Sequence, residues 1–121
     1  QDKIKKLTNL SKLKKALILT IAVNYGGRHD IIQAVNKCIR NGVKKLKLEK
    51  DFECYLLNYK FPSIDLLIRT GGEKRLSNFM LWDLAYTELI FLSEMWPDFN
   101  SNLLTHSINE FISRKRNFGG R

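Results

Sequence analysis

The sequence predicts an α/β layered fold, a parallel sheet of about three strands with flanking helices. Three short apolar runs, at 16–23, 64–68 and 88–92, read as strands, and the first, rich in branched side chains, reads as buried on both faces. Between and after them lie stretches whose apolar residues recur at helical spacing, and Gly or Pro marks several of the junctions. Alternation of strand and helix favours right-handed crossovers and a parallel sheet.

Taken in order, Ile4, Leu7, Leu10 and Leu13 recur about once per turn among lysines and suggest a basic amphipathic helix. Ala16-Leu17-Ile18-Leu19-Thr20-Ile21-Ala22-Val23 is the first strand, stopped by Asn24-Tyr25-Gly26-Gly27. A helix follows with Ile31, Val35, Cys38 and Ile39 on one face, closed by Gly42 in the left-handed conformation. A weaker helix at 49–59 precedes Pro62, and Ile64-Asp65-Leu66-Leu67-Ile68 forms the second strand. After a polar loop, 78–85 reads as helix and 88–92 as the third strand. Leu104, Ile108, Phe111 and Ile112 mark the inner face of a last helix. A three-stranded parallel sheet leaves edges open, so the first strand is expected to show an exposed edge or to take a partner from another chain.

A length of 121 residues fits one domain, since dividing it would starve both cores. With 44% hydrophobic and 27% charged residues, disordered and fibrous classes fit poorly. No apolar run approaches the roughly 20 residues that cross a bilayer, and the lysine-rich start lacks a secretion signal, so a cytoplasmic location is expected. Cys38 and Cys54 have no Cys or His neighbour at zinc spacing and read as buried or half-buried free thiols. The net charge of +9, from 21 Lys and Arg against 12 Asp and Glu, points to phosphorylated or polyanionic partners. The lysine clusters at 3–15 and 44–50 are better explained as solvated helix faces, with nucleic acid or an anionic membrane surface as the alternatives.

The segment that carries chemistry is Arg69-Thr70-Gly71-Gly72-Glu73-Lys74-Arg75-Leu76-Ser77-Asn78, leaving the carboxyl end of a buried strand, where open α/β sheets bind ligands. Two glycines let backbone approach a ligand, two arginines can fork onto phosphate oxygens, and Ser77 with the free amides of a following helix adds neutral donors. That describes a diphosphate cradle. A surface turn whose arginines pair with local acids such as Glu73 describes the same residues as well. Neither a Walker loop nor a dinucleotide fingerprint is present.

Asp65-Leu66-Leu67-Ile68-Arg69-Thr70-Gly71-Gly72-Glu73-Lys74-Arg75-Leu76-Ser77-Asn78-Phe79-Met80-Leu81-Trp82, then Ala85-Tyr86-Thr87-Glu88-Leu89 and Trp96-Pro97-Asp98-Phe99, resembles the signature of cis-prenyltransferases, the family of undecaprenyl diphosphate synthases. Asn24-Tyr25-Gly26-Gly27-Arg28 with Asp30, and the terminal Phe118-Gly119-Gly120, come in the same order, so the likeness runs from about Ala16 to the carboxyl terminus. The resemblance implies the carboxyl-terminal part of a larger, six-stranded fold. It implies condensation of isopentenyl diphosphate with an allylic diphosphate, usually farnesyl diphosphate, in the presence of Mg²⁺. It further implies a homodimer and a product that partitions to the membrane. By the same resemblance Arg69, Arg75 and Ser77 bind the isopentenyl diphosphate, Glu88 helps hold magnesium, and Glu73 orients the arginines. Tyr25, Gly26, Gly27 and Arg28 are expected to be structural or to lie at a subunit contact, and Trp82, Tyr86, Phe91, Trp96 and Phe99 to pack in the core or an interface. His29 and His106 lack ligand partners at useful spacing.

The family's His-x-Met-Asp-Gly-Asn-Gly-Arg-Trp motif, whose Asp binds magnesium on the allylic diphosphate, has no match here. No catalytic residue is therefore assigned to this chain, which alone should catalyse little. Lys74 stands where bacterial members often have His, and Asn117 where members with an Arg-x-Gly tail have the arginine; Arg116 or Arg121 could substitute for it. Two other readings remain: a non-catalytic companion subunit of a cis-prenyltransferase, and a basic nucleic-acid-binding module, although no specific nucleic-acid partner is expected.

Overall fold

The computed structural model describes residues 17–115. The predicted helix at 4–13, the whole of the first lysine cluster at 3–15, Ala16 of the predicted first strand, and the tail residues Arg116, Asn117, Phe118, Gly119, Gly120 and Arg121 lie outside them. The elements run α1 (Gly27–Arg40), α2 (Glu49–Glu53), β1 (Leu66–Arg69), β2 (Glu88–Phe91), a 3₁₀ turn (Trp96–Asp98) and α3 (Ser101–Ser113). The class is α/β, with β1 and β2 parallel and paired Leu66 with Glu88 through Arg69 with Phe91. The sheet has two strands among the described residues, against about three expected.

The missing strand is the first. Residues 17–23 make no ladder, and Leu17, Ile18, Leu19, Ile21 and Val23 are each at least three-quarters exposed. A run apolar on both faces needs neighbours on both faces, and no described strand lies beside it. Left uncovered, each of these side chains forgoes about 1.5–3 kcal/mol of burial.

Helix α1 buries Gly27, Asp30, Ala34 and Cys38, three to four residues apart. Ala34 and Cys38 pack with Phe52 and Leu56 as a small core, which Ile31, Val43, Tyr55 and Trp82 flank. Val35 and Ile39 are exposed, so the expected face is rotated toward the small residues, which permit closer approach. Trp82 meets Phe52 with ring centroids 4.8 Å apart. Helix α2 is shorter than the 49–59 predicted. Its start is held by the Asp51 carboxylate, which accepts from the amides of Lys47 at 2.9 Å and Leu48 at 3.1 Å, and 54–60 continues as turns. Cys38 is buried as expected, but Cys54 is exposed because α2 ends just before it.

The predicted helix at 78–85 is a run of turns. Ser77, Asn78 and Met80 take φ of 48°, 65° and 43°, left-handed values that stop a right-handed helix from propagating. A long-range cap holds them there. The first amide of α1, on Gly27, donates to the Asn78 carbonyl at 2.6 Å, and the Arg28 amide donates to Asn78 Oδ1 at 2.9 Å. Gly26, the residue before α1, supplies no side-chain cap of its own. The approach needs glycine: a Cβ on Gly27 would lie 3.0 Å from the Leu81 amide nitrogen and 3.1 Å from the Asn78 carbonyl oxygen. The structural role expected of this turn is thus seen in its contacts.

Helix α3 is capped by Asn100, whose side chain accepts from the amides of Asn102 at 3.0 Å and Leu103 at 3.2 Å. Its inner face is centred on the fully buried Ser107, not on the apolar stripe. Leu104, Ile108 and Ile112 point outward with 41%, 41% and 71% exposure, and only Phe111 of the expected set is half-buried. A small side chain lets the helix sit close, and its Oγ is satisfied by donating to the Leu103 carbonyl at 2.9 Å.

Asn78→Ala should lower unfolding free energy in urea by about 2 kcal/mol, combining a lost cap with a Cβ-bearing residue left at positive φ without its side-chain bond. Asn78→Gly, which removes the cap but not the conformational freedom, should cost about half as much; equal stability of all three proteins would refute the cap.

Candidate functional site

The Arg69 loop leaves β1 at its carboxyl end, beside the carboxyl end of β2. Gly71 and Gly72 bend it at φ of 90° and 75°. Their amides are taken: Gly71 N–H donates to the Glu94 carbonyl at 2.7 Å and Gly72 N–H to the Leu92 carbonyl at 2.8 Å. The glycines therefore brace the loop against the exit of β2, and the expectation that free helix amides come after the loop fails with the helix itself. Neither glycine amide is left for an anion.

Arg69 is half-buried, and its Nη1 donates both to the Arg75 carbonyl and, at 2.9 Å, to Ser77 Oγ. One nitrogen thus draws three predicted site residues together. The remaining guanidinium hydrogens, on Nη2 and Nε, have no partner among the described residues and suit an oxyanion. The Arg75 guanidinium pairs with Glu73, both largely exposed. Such surface pairs are worth roughly 0–1 kcal/mol, so an incoming diphosphate could draw Arg75 away from Glu73 with little loss. Lys74 is exposed beside them and adds positive charge.

Glu88 is not brought to this group. It opens β2 opposite Leu66, whereas Arg69 lies opposite Phe91 at the other end, about 10 Å away at ordinary strand rise. Its carboxylate takes a 2.8 Å ion pair from Arg114, which also donates to the Leu89 carbonyl at 3.1 Å and to Glu110. The hydrogen bonds to Glu88 and Glu110 raise the Arg114 pKa, so this guanidinium stays charged. Among the described residues no three His, Cys, Asp or Glu side chains gather as a metal site. By itself the described chain therefore does not fit a complete magnesium site.

A second polar cluster lines a cleft of about 1010 Å³ beside the start of α1. Buried Asp30 accepts from the Tyr25 hydroxyl at 3.1 Å and from the Leu57 amide at 3.2 Å. Burial, then the bond to Asp30, pushes the Tyr25 phenol well above its ordinary range. Tyr25 stacks edge-on against Phe79, centroids 5.6 Å apart. Burial, with the Asp30 charge behind it, also raises the Asp83 carboxyl. His29 lies on the same cleft and is exposed, as is His106 on α3. Of the aromatic residues expected to pack, Trp82 does, Phe91 and Phe99 are half-buried, and Tyr86 and Trp96 are exposed.

Sequence reasoning missed Asn78 as a cap, Arg114 as the cation on Glu88, and Asp83 as a perturbed acid. Only Arg114 carried a local signal, four residues after Glu110 on one helix.

Residues 1–119 match the prenyltransferase family model described as undecaprenyl diphosphate synthase, and the chain belongs to that family. The chain is 50% identical over 110 residues to the ditrans,polycis-undecaprenyl-diphosphate synthase ((2E,6E)-farnesyl-diphosphate specific) of Buchnera aphidicola from Acyrthosiphon pisum, covering 86% of this chain and 43% of that one. It is 47% identical to the protein of the same name in Haemophilus influenzae, covering 99% of this chain and 52% of the relative. A crystal structure of lavandulyl diphosphate synthase from Lavandula x intermedia, in complex with dimethylallyl diphosphate, superimposes with a TM-score of 0.88 at 40% identity, over 99% of this chain and 54% of that one. The chain spans about half the length of the curated relatives it matches.

Because the folded-state pKa of Asp83 lies above the ordinary 3.8, its protonated form favours the fold below that value, and this contribution is lost as pH rises through the raised one. Stability should therefore fall with pH across that window less steeply in Asp83→Asn than in the parent; parallel pH profiles in urea melts would contradict the assignment.

Proposed function

We propose that this chain is the isopentenyl diphosphate-binding half of a cis-prenyltransferase that resembles undecaprenyl diphosphate synthase and condenses isopentenyl diphosphate with an allylic, farnesyl diphosphate. The observation that carries the reading is the Arg69 guanidinium, tied through one nitrogen to Ser77 Oγ and the Arg75 backbone and open on its other donors. Farnesyl diphosphate is the allylic substrate that the names of the Buchnera and Haemophilus relatives specify.

In this reading Arg69 receives one phosphoryl group bidentately, Ser77 adds a neutral donor, and Arg75 swings from Glu73 to the second phosphoryl group. Their work is binding and orientation: they fix the diphosphate end so that the isopentenyl double bond is presented to the allylic carbon. The allylic site and the acidic group that serves it lie outside this chain, so the isolated chain binds isopentenyl diphosphate and turns over none. Mg²⁺ is proposed as cofactor of the complete enzyme, mostly coordinated by phosphate oxygens, as this hard ion prefers. Glu88 would contribute one carboxylate oxygen, but only once Arg114 has released it. The reading also carries a cytoplasmic homodimer whose product partitions to the membrane. Among the described residues no helix is long and apolar enough to cross one.

Isothermal calorimetry of the full chain with isopentenyl diphosphate should show binding that Arg69→Ala weakens by at least about tenfold, on the order of 1.4 kcal/mol, as expected for a charged hydrogen bond. Ser77→Ala should weaken it by less. Undiminished binding by Arg69→Ala would remove this site from the proposal.

A further inference from the structure

The second lysine cluster, at 44–50, does not lie on a helix face. Residues 43–47 take no regular structure between α1 and α2, and Leu46 and Leu48 are 40% and 67% exposed. A solvated helix face would have turned those leucines inward while its lysines met water. Ile39, in the last turn of α1, is exposed as well. The stretch therefore presents both its charged and its apolar side chains outward.

Bonds at the two ends of the segment impose this exposure. The Val43 amide donates to the Cys38 carbonyl at 3.1 Å, with the Val43 side chain packed against the small core, and the Asp51 carboxylate holds the amides of Lys47 and Leu48. Gly42 turns the chain at φ of 70°, and a Cβ there would meet nothing within 4 Å, so the turn stands in open space. Arg40, Lys44, Lys45, Lys47 and Lys50 are all exposed, and none has an ion pair among the described residues. Against Glu49 and Asp51 they leave an excess of three positive charges over 40–51.

Exposed aliphatic side chains set among unpaired ammonium groups suit the boundary of an anionic bilayer. Lysine stems are long enough to keep the charge at lipid phosphates while neighbouring leucines enter the acyl region. A nucleic acid would match the charge alone, and the aromatic platforms on which bases stack are absent from 39–50. We infer that residues 39–50 dock this chain on an anionic membrane surface, with Leu46 and Leu48 inserted and Lys44, Lys45 and Lys47 at the headgroups. The inference stands on this segment and does not depend on the diphosphate reading of the Arg69 loop.

The test is co-sedimentation of the full chain with phosphatidylglycerol vesicles and with neutral phosphatidylcholine vesicles. The chain should bind the first and not the second. Each cation near an anionic surface is worth about fivefold in affinity, so the triple variant Lys44→Gln, Lys45→Gln, Lys47→Gln should bind on the order of a hundredfold more weakly. The pair Leu46→Ser, Leu48→Ser, which leaves the charge unchanged, should lose about tenfold through its smaller apolar area. Ile112→Ser, on α3 and as exposed as Leu48, should lose nothing. All the replaced side chains are exposed, which leaves the core intact. No binding to the anionic vesicles, or equal binding to neutral ones, would overturn the inference. Binding that survives the lysine changes belongs to another part of the chain and overturns it too, as does a loss on Ile112→Ser equal to that of the leucine pair. Insensitivity to the leucine pair overturns it as well, in favour of a nucleic acid if duplex DNA binds more tightly than the vesicles. Binding of isopentenyl diphosphate, measured on the same proteins, should be unchanged by the lysine and leucine variants. Its absence from the parent would sink the substrate reading and leave membrane docking standing.

Discussion

The arrangement depends on one cap made across fifty residues of sequence. Asn78 supplies the carbonyl and the side-chain oxygen that the first two amides of α1 lack. A helix start left without partners is costly, so α1 and the loop after β1 cannot move independently. Leu81 closes on Gly27 and Phe79 on Tyr25 around the same point. Asn tolerates positive φ better than most residues, which is why this position can both reverse the chain and reach back to the helix.

Charge is distributed so that each end of the short sheet has its own arginine. At the carboxyl end Arg69 gathers Ser77 and the Arg75 backbone. At the amino end Arg114 joins Glu88 on β2 to Glu110 on α3, fastening the end of the last helix to the sheet. The first has donors to offer a ligand, and the second is engaged by protein oxygens. That difference explains why one cluster reads as a binding site and the other as a brace, although both lie in a chain of strongly positive charge.

Local patterns were legible where the physics is local. The parallel strand β2 falls within its apolar run and β1 overlaps its own, shifted by one or two residues at its ends, and α1 begins and ends near its glycines. The grouping of Arg69, Arg75 and Ser77 was readable because a tight double-glycine bend returns residues 75–77 toward the strand end. The first strand was not readable as unpaired, since residues 17–23 have the right composition and only a neighbour decides whether a ladder forms. Helix periodicity at 78–85 was misleading because Asn78 is claimed by a helix far upstream. On α3 the apolar stripe is real, but the buried side is chosen by the small Ser107, which hydropathy does not reveal.

The hydrogen bonds of Gly71 and Gly72 to the exit of β2 have a consequence for the kind of recognition the loop offers. A nest of main-chain amides holds an anion with fixed dipoles close at hand, whereas here those amides already donate to carbonyl oxygens. Attraction must then come from guanidinium charges near the solvent, which mobile ions shield over about 8 Å at physiological ionic strength. The bend keeps its shape with no guest to order it, so the entropic toll of capture falls on the arginine side chains alone.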